Sequence, residues 1–209
     1  CDLGIVGLNV VEEKRLNLEQ RGRPAQFTQI FELEFGHCRL SIAAPLNTEY
    51  NGPSSLENSS IATSYVALLN DYLKSNDVRA EPVYFSGAVE IAPKLGRADF
   101  ICDLVSTGST LLANDLREVA VILQSEAVVI QTLAPLGDEK QALVDKLLQR
   151  LDGVLKVHDS KYIMLHAPRT ALKEIPALLP GSEAPTIMPL EGRDDKVAVH
   201  AVCRENVFW

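Results

Sequence analysis

The sequence predicts an α/β protein of two lobes followed by a small α+β unit, and three observations carry that reading. From Ile61 to Val105 the chain alternates strand, helix, strand, helical stretch and strand, the order of a parallel layer with helices packed on it. Residues 1 to about 34, with about 132 to 156, form part of one lobe, and residues about 35 to 131 form a second, so the chain crosses between them twice. After His158 the composition shifts, and residues about 157 to 209 read β-α-β-β, the opening of a ferredoxin-like unit.

Taken in order, Cys1–Gly7 is an apolar run punctuated by glycine, a strand with Gly7 and Asn9 at its carboxyl end. Val10–Leu18 is a short helix and Glu19–Pro24 a charged loop. Phe27–Leu33 and His37–Ala44 are strand runs; Phe31, Leu33 and Phe35 alternate with acids, as a half-buried strand does. Leu46–Glu57 turns around Asn51-Gly52-Pro53. Ile61–Thr63 is a short strand. Ser64 is the expected cap of a helix to about Asn76, with Val66, Leu69, Tyr72 and Leu73 at helical spacing.

Val78–Phe85 and Ala98–Val105 are the next strands, flanking Ser86–Gly96, and Leu111–Leu116 has helix-forming character. Glu118–Leu123 and Ala127–Gln131 are β runs separated by Gln124-Ser125-Glu126. Asp138 with Gln141 three residues on is a capping-box start. The helix that follows carries Val144, Leu147, Leu148 and Leu151 on one face, and Gly153 is expected to end it. Tyr162–His166 is a strand, Arg169–Leu179 helical, and Thr186–Leu190 and Val197–Val202 are strands. Glu205 opens a further element.

The chemistry concentrates in Phe100–Leu112, FICDLVSTGSTLL. An apolar strand bearing one carboxylate, Asp103, feeds a turn of small hydroxyl residues around Gly108 and then a helix. Such a turn has backbone N–H groups without partners, and a helix start adds partial positive charge. Ser106, Thr107, Ser109 and Thr110 add hydroxyl donors. Gly108 permits a positive φ and the close approach of a phosphate. The plain alternative is an ordinary strand-ending turn. Neither G-x-x-x-x-G-K-[ST] nor G-x-G-x-x-G occurs, which excludes a nucleotide P-loop and leaves a dinucleotide fold without support.

Composition narrows the classes further. A net charge of −8 argues against a nucleic-acid partner, and no apolar stretch approaches the roughly 18 residues that cross a bilayer. The 4 cysteines are scattered without a C-x-x-C, which fits reduced thiols of a cytosolic protein better than zinc or a disulfide framework. Asn58-Ser59-Ser60 matches a glycosylation sequon but reads as a turn. His37, His158, His166 and His200 are dispersed and read as surface or packing residues. The chain opens on Cys1 rather than Met, as a fragment would.

The acid-bearing strand and its STG-x-TL turn resemble the phosphoribosyl-diphosphate (PRPP) loop of phosphoribosyltransferases. With GAVEIAPKL at Gly87–Leu95, ADFICDLVSTGSTL at Ala98–Leu111 and NDLRE at Asn114–Glu118, the chain resembles ATP phosphoribosyltransferase in its long form, from its first residues to its last. That resemblance implies a periplasmic-binding-protein-like two-lobed catalytic core plus an incomplete ferredoxin-like regulatory domain. It also implies that the opening elements of the first domain and the last helix and strand of the regulatory domain lie outside this sequence.

The implied reaction condenses ATP with PRPP to phosphoribosyl-ATP and pyrophosphate, the first step of histidine biosynthesis, with Mg2+ as cofactor and histidine as feedback inhibitor. By the same resemblance, Glu90 and Asp103 to Leu111 hold PRPP: Ser106, Thr107, Gly108, Ser109 and Thr110 take the 5′-phosphate beside Leu104, Val105 and Leu111, and Asp103 takes the ribose hydroxyls. Cys102 stands where related loops have a second acid, so Glu90, or less favourably Asp99, is the candidate for that carboxylate; the alternative for Glu90 is a helix N-terminal acid favoured by the dipole. Lys94 or Arg97 meets pyrophosphate unless either is a plain surface charge, and Thr63 and Tyr65 are candidate purine contacts. His166, Ala167 and Thr186 are the candidate histidine pocket. The family implies a cytoplasmic homo-oligomer, dimer to hexamer. The alternatives are a non-catalytic PRPP-binding two-lobed module and a regulatory subunit.

Overall fold

The computed structural model describes residues 1–158, 160–175 and 184–204. The chain divides between Leu136 and Gly137 into two compact units. In chain order the first runs β1 (Leu3–Gly7), α1 (Leu8–Gln20), β2 (Phe27–Glu32), β3 (Cys38–Pro45), β4 (Ser60–Thr63), α2 (Val66–Ser75), β5 (Glu81–Tyr84), β6 (Phe100–Val105), α3 (Ser109–Ala113), β7 (Leu116–Ser125) and β8 (Ala127–Thr132).

These strands form two sheets. One is antiparallel, in the order β1-β8-β2. The other is mixed, in the order β5-β4-β6-β3-β7. The expected parallel layer is confined to β4, β5 and β6; β3 runs antiparallel to both β6 and β7. The reason is the route of entry, because β3 comes from the other sheet at the end where β6 leaves. The edge strand β5 is shorter than Val78–Phe85 and carries Pro82, which an edge tolerates.

The near-continuous apolar character of β6 follows from burial on both faces. Phe100 and Cys102 pack with Leu40, Ile42, Ile61 and the α2 residues Leu69 and Leu73. Ile101 and Val105 pack on the opposite face with Ala43, Ala62, Val89, Leu111 and Leu116. A strand clamped in this way holds the turn that follows it in a fixed place.

The chain crosses between the two sheets twice, and the crossings are paired: Leu33 N–H donates to the Ala127 carbonyl at 3.0 Å, and Ala127 N–H to the Phe35 carbonyl at 2.9 Å. The return crossing falls at Ser125–Ala127. Residues 127–131, expected in the second lobe, therefore pair with β1 and β2.

Two local expectations change. Ser64 does not cap α2; its hydroxyl donates to the Phe85 carbonyl at 2.6 Å. The helix N-terminus is instead covered by Glu13 of α1, whose carboxylate accepts the N–H groups of Ala67 and Leu68 at 2.9 Å each. The helical stretch after the turn is only α3, five residues long, and Leu116 already begins β7.

The second unit holds α4 (Asp138–His158), β9 (Ser160–Pro168), β10 (Thr186–Leu190) and β11 (Arg193–Arg204). Helix α4 runs past Gly153 for another turn, because one interior glycine costs only about 1 kcal/mol and cannot stop so long a helix. The sheet order β10-β11-β9, all antiparallel, is the one a ferredoxin-like unit gives its first three strands. The stretch expected to be helical from Arg169 opens as a 3-10 turn, Arg169–Ala171; its end, like Glu205, lies outside the described residues.

Candidate functional site

The end of β6 builds a small cavity of about 180 Å³ lined by Glu90, Asp103, Leu104, Val105, Ser106, Thr107, Gly108, Thr110 and Leu111. Val105 and Leu111, both buried, anchor its two sides in the core. Between them the chain reverses at Gly108, whose φ of 81° lies in the left-handed region. A Cβ there would meet only Val105 at 3.9 Å, so conformation rather than space requires glycine.

Among the described residues the N–H groups of Thr107 and Gly108 have no protein acceptor. Thr107 Oγ1 and Ser109 Oγ share a hydrogen bond at 3.0 Å, which places the Ser109 hydroxyl on the turn rather than in the cavity lining. With only one turn of helix behind it, this cradle rests on loop N–H groups and hydroxyls more than on a helix dipole.

Two carboxylates face this cradle. Glu90 sits on a 3-10 turn, Val89–Ile91, pinned by the buried Val89 and Ala92 and entered through Ala88 at a φ of 50°. Asp103 is half-buried, and its Oδ1 accepts the Leu104 N–H at 2.8 Å. Burial pushes the Asp103 carboxyl above its ordinary range; the Leu104 N–H opposes that shift and the charge of Glu90 adds to it. The charged form of Asp103 is therefore disfavoured where it stands, a condition that ligand hydroxyls or a cation relieve.

The other expected residues divide. Cys102 lies wholly in the core, and burial drives its thiol to about 12, so it takes no part. Asp99 lies at the opposite end of β6, where Oδ2 accepts the Ser60 N–H at 2.8 Å and the Ser60 hydroxyl at 2.7 Å. Arg97 lines a separate depression at that far end. Lys94 pairs with Asp115 at 2.9 Å on the surface.

Thr63 is fully buried and its Oγ1 accepts the Tyr65 N–H at 2.9 Å, which leaves it no face for a ligand. Tyr65 accepts a hydrogen bond from Asn9 Nδ2 at 2.9 Å. Burial raises its phenol above the ordinary range, Asn9 opposes that, and the charges of Asp103 and Glu13 add to it. In the second unit His166 and Thr186 are exposed and lie on one face of the sheet, beside Ala198 and His200 of β11. Ala167 points into the core on the other face.

Sequence reasoning missed Arg39. Its Nη1 donates to the Ser106 carbonyl at 3.1 Å, and Nε donates to Glu118 Oε1 at 2.6 Å. The available signal was a pair of opposite charges inside two apolar runs, His37–Ala44 and Glu118–Leu123.

The family model described as ATP phosphoribosyltransferase matches residues 1–153, and that of the HisG C-terminal domain matches residues 158–209. Among solved structures, the chain is similar to an ATP phosphoribosyl transferase in the HisG:HisZ complex from Thermotoga maritima. The TM-score is 0.61 and the identity 24%, over 75% of this chain and 71% of that one. It is also similar to the periplasmic aliphatic sulphonate binding protein SsuA from Escherichia coli, with a TM-score of 0.51 and 14% identity over 75% and 57%. These two are likenesses of fold: a two-lobed α/β architecture of the periplasmic-binding-protein type.

Proposed function

The chain belongs to the ATP phosphoribosyltransferase family, transferases of histidine biosynthesis, and from that premise we propose that it condenses ATP with PRPP. The bond that forms joins N1 of the adenine to C1 of the ribose; the bond that breaks releases pyrophosphate from C1. The observation that carries this reading is the cavity at the end of β6, which sets unpartnered N–H groups and hydroxyls opposite two carboxylates.

The 5′-phosphate lies in the turn, on the N–H groups of Thr107 and Gly108 and the hydroxyls of Ser106, Thr107 and Thr110. Asp103, with one oxygen committed to Leu104, turns the other to the ribose hydroxyls. Glu90 and Asp103 place negative charge beside a carbon that becomes oxocarbenium-like as its leaving group departs. No covalent nucleophile is required; alignment and exclusion of water supply the rate. The net charge of −8 does not defeat polyanionic substrates, because screening confines it to about 8 Å at physiological salt.

Magnesium suits this site, since Glu90 and Asp103 offer hard oxygen donors and the Asp103 carboxylate is short of positive charge. Bound with the diphosphate, it supplies neutralisation of the leaving group. Tyr65 is the remaining purine candidate. Feedback by histidine falls to the β9–β11 sheet through His166 and Thr186. From the family we infer a cytoplasmic homo-oligomer.

Calorimetric titration of PRPP with magnesium, paired with a product assay on ATP, tests the reading. Saturable, magnesium-dependent binding is expected, with Asp103→Ala and Gly108→Val abolishing it while the fold persists. Unchanged affinity in both variants removes the site assignment. Binding without product makes the chain a PRPP-binding module instead.

A further inference from the structure

Arg39 and the phosphate turn lie 67 residues apart in sequence, yet Arg39 Nη1 donates to the Ser106 carbonyl at 3.1 Å. Arg39 does not line the turn's cavity. It lines a neighbouring one of about 310 Å³ with His37, Ser106, Gln124 and Glu126. Its effect on a ligand in the turn therefore passes through Ser106.

The guanidinium is locked before it reaches that carbonyl. Nε donates to Glu118 Oε1 at 2.6 Å and Nη2 to Glu118 Oε2 at 2.5 Å, a two-pronged pair of charge-assisted bonds. The hydroxyl of the buried Ser41 donates to Glu118 Oε1 at 2.7 Å and fixes the carboxylate in turn. Arg39 and Ser41 are on β3, Glu118 is on β7, and Arg39 faces Val105, the last residue of β6, in register. Three strands thus hold one planar cation, which leaves Nη1 for Ser106. Arg39 first, then the Ser41 hydroxyl, holds the Glu118 carboxyl below its ordinary range, against the opposing effect of burial.

The consequence is geometric. Among the described residues no peptide is cis, and in a trans peptide the C=O and N–H of one plane point opposite ways. A carbonyl of Ser106 fixed on the Arg39 side turns the Thr107 N–H to the other side, toward the cavity that Ser106, Thr107 and Gly108 line. We propose that Arg39, locked by Glu118, is a positioning residue for the turn, setting the Ser106–Thr107 peptide so that its N–H is aimed at a phosphate before the ligand arrives. This rests on the reading of the turn as a phosphate site. A lysine at position 39 cannot replace it, because a point charge on a flexible stem does not bridge two carboxylate oxygens and a carbonyl in one plane.

The test is a titration of ribose 5-phosphate into the full chain, followed through the Thr107 and Gly108 amide resonances, for wild type, Arg39→Lys, Glu118→Gln and the double variant. Saturable shifts are expected in wild type. Each single variant should weaken binding about tenfold, and the double variant no further, since the two residues act as one unit. Glu118→Gln keeps volume and the Ser41 bond, so it carries the test if Arg39→Lys does not fold. Wild-type affinity in folded single variants overturns the proposal. So do losses that add in the double variant, which would mean that Arg39 and Glu118 act independently rather than as one unit. No shift in wild type overturns the phosphate reading of the turn itself, and the proposal with it.

Discussion

Asn9 and Ser125 hold each other twice across 116 residues. The Asn9 N–H donates to Ser125 Oγ at 3.0 Å, and the Ser125 hydroxyl donates to Asn9 Oδ1 at 2.9 Å. Both are buried, and the pair ties the start of α1 to the point where the chain recrosses between sheets. It also fixes the residue before the helix, because a Cβ on Gly7 would stand 2.4 Å from Asn9 Oδ1. Asn9→Ala should cost about 1–3 kcal/mol in denaturant unfolding, since it leaves buried groups unpaired. Gly7→Ala should cost a similar amount by displacing the same carboxamide.

Glu13 does for α2 what a local cap would do. Glu13→Ala strips the acceptors from the Ala67 and Leu68 N–H groups and should destabilise the protein by about 1–2 kcal/mol. Ser64→Ala, by contrast, should leave α2 intact and lose only the bond to Phe85. Equilibrium unfolding of the two variants side by side measures the difference.

The raised carboxyl of Asp103 sets a pH dependence with a definite sign. A carboxyl shifted upward by folding contributes stability that is fully present below its unfolded value, about 4, and lost as pH rises through the folded value. Asp103→Asn removes the charge that burial and Glu90 oppose. It should therefore melt a few degrees higher than wild type at neutral pH, and the gap should close in acid, where both side chains are neutral. Melting temperatures across that range check this, and ligand affinity should fall in the same variant.

Glu90 and Asp99 separate the two candidates for a second carboxylate. Glu90 lines the cavity of the turn, whereas Asp99 is engaged by Ser60 at the far end of β6. Glu90→Gln should weaken magnesium-dependent PRPP binding about tenfold. Asp99→Asn should leave it unchanged. Isothermal titration on both variants gives the comparison.

The sequence by itself determined what neighbours in the chain can determine. The apolar run of β6, the hydroxyl turn at Gly108 and the carboxylate of Asp103 lie within a dozen residues, and local pattern suffices to read a strand and a tight hydroxyl-rich turn there. The three strands of the second unit, β9, β10 and β11, are legible for the same reason. What only the tertiary structure decided are the relations between residues far apart. Asp99 and Arg97 are close to Asp103 in sequence, but a strand rises about 3.3 Å per residue and carries them to its other end. Whether Gln124-Ser125-Glu126 is a break within a lobe or the crossing between lobes depends on which strand β8 pairs with, and an apolar run does not specify its partner. Arg39 and Glu13 act on a turn and a helix 67 and 54 residues away, because a partly buried charge must find its partner wherever folding brings one.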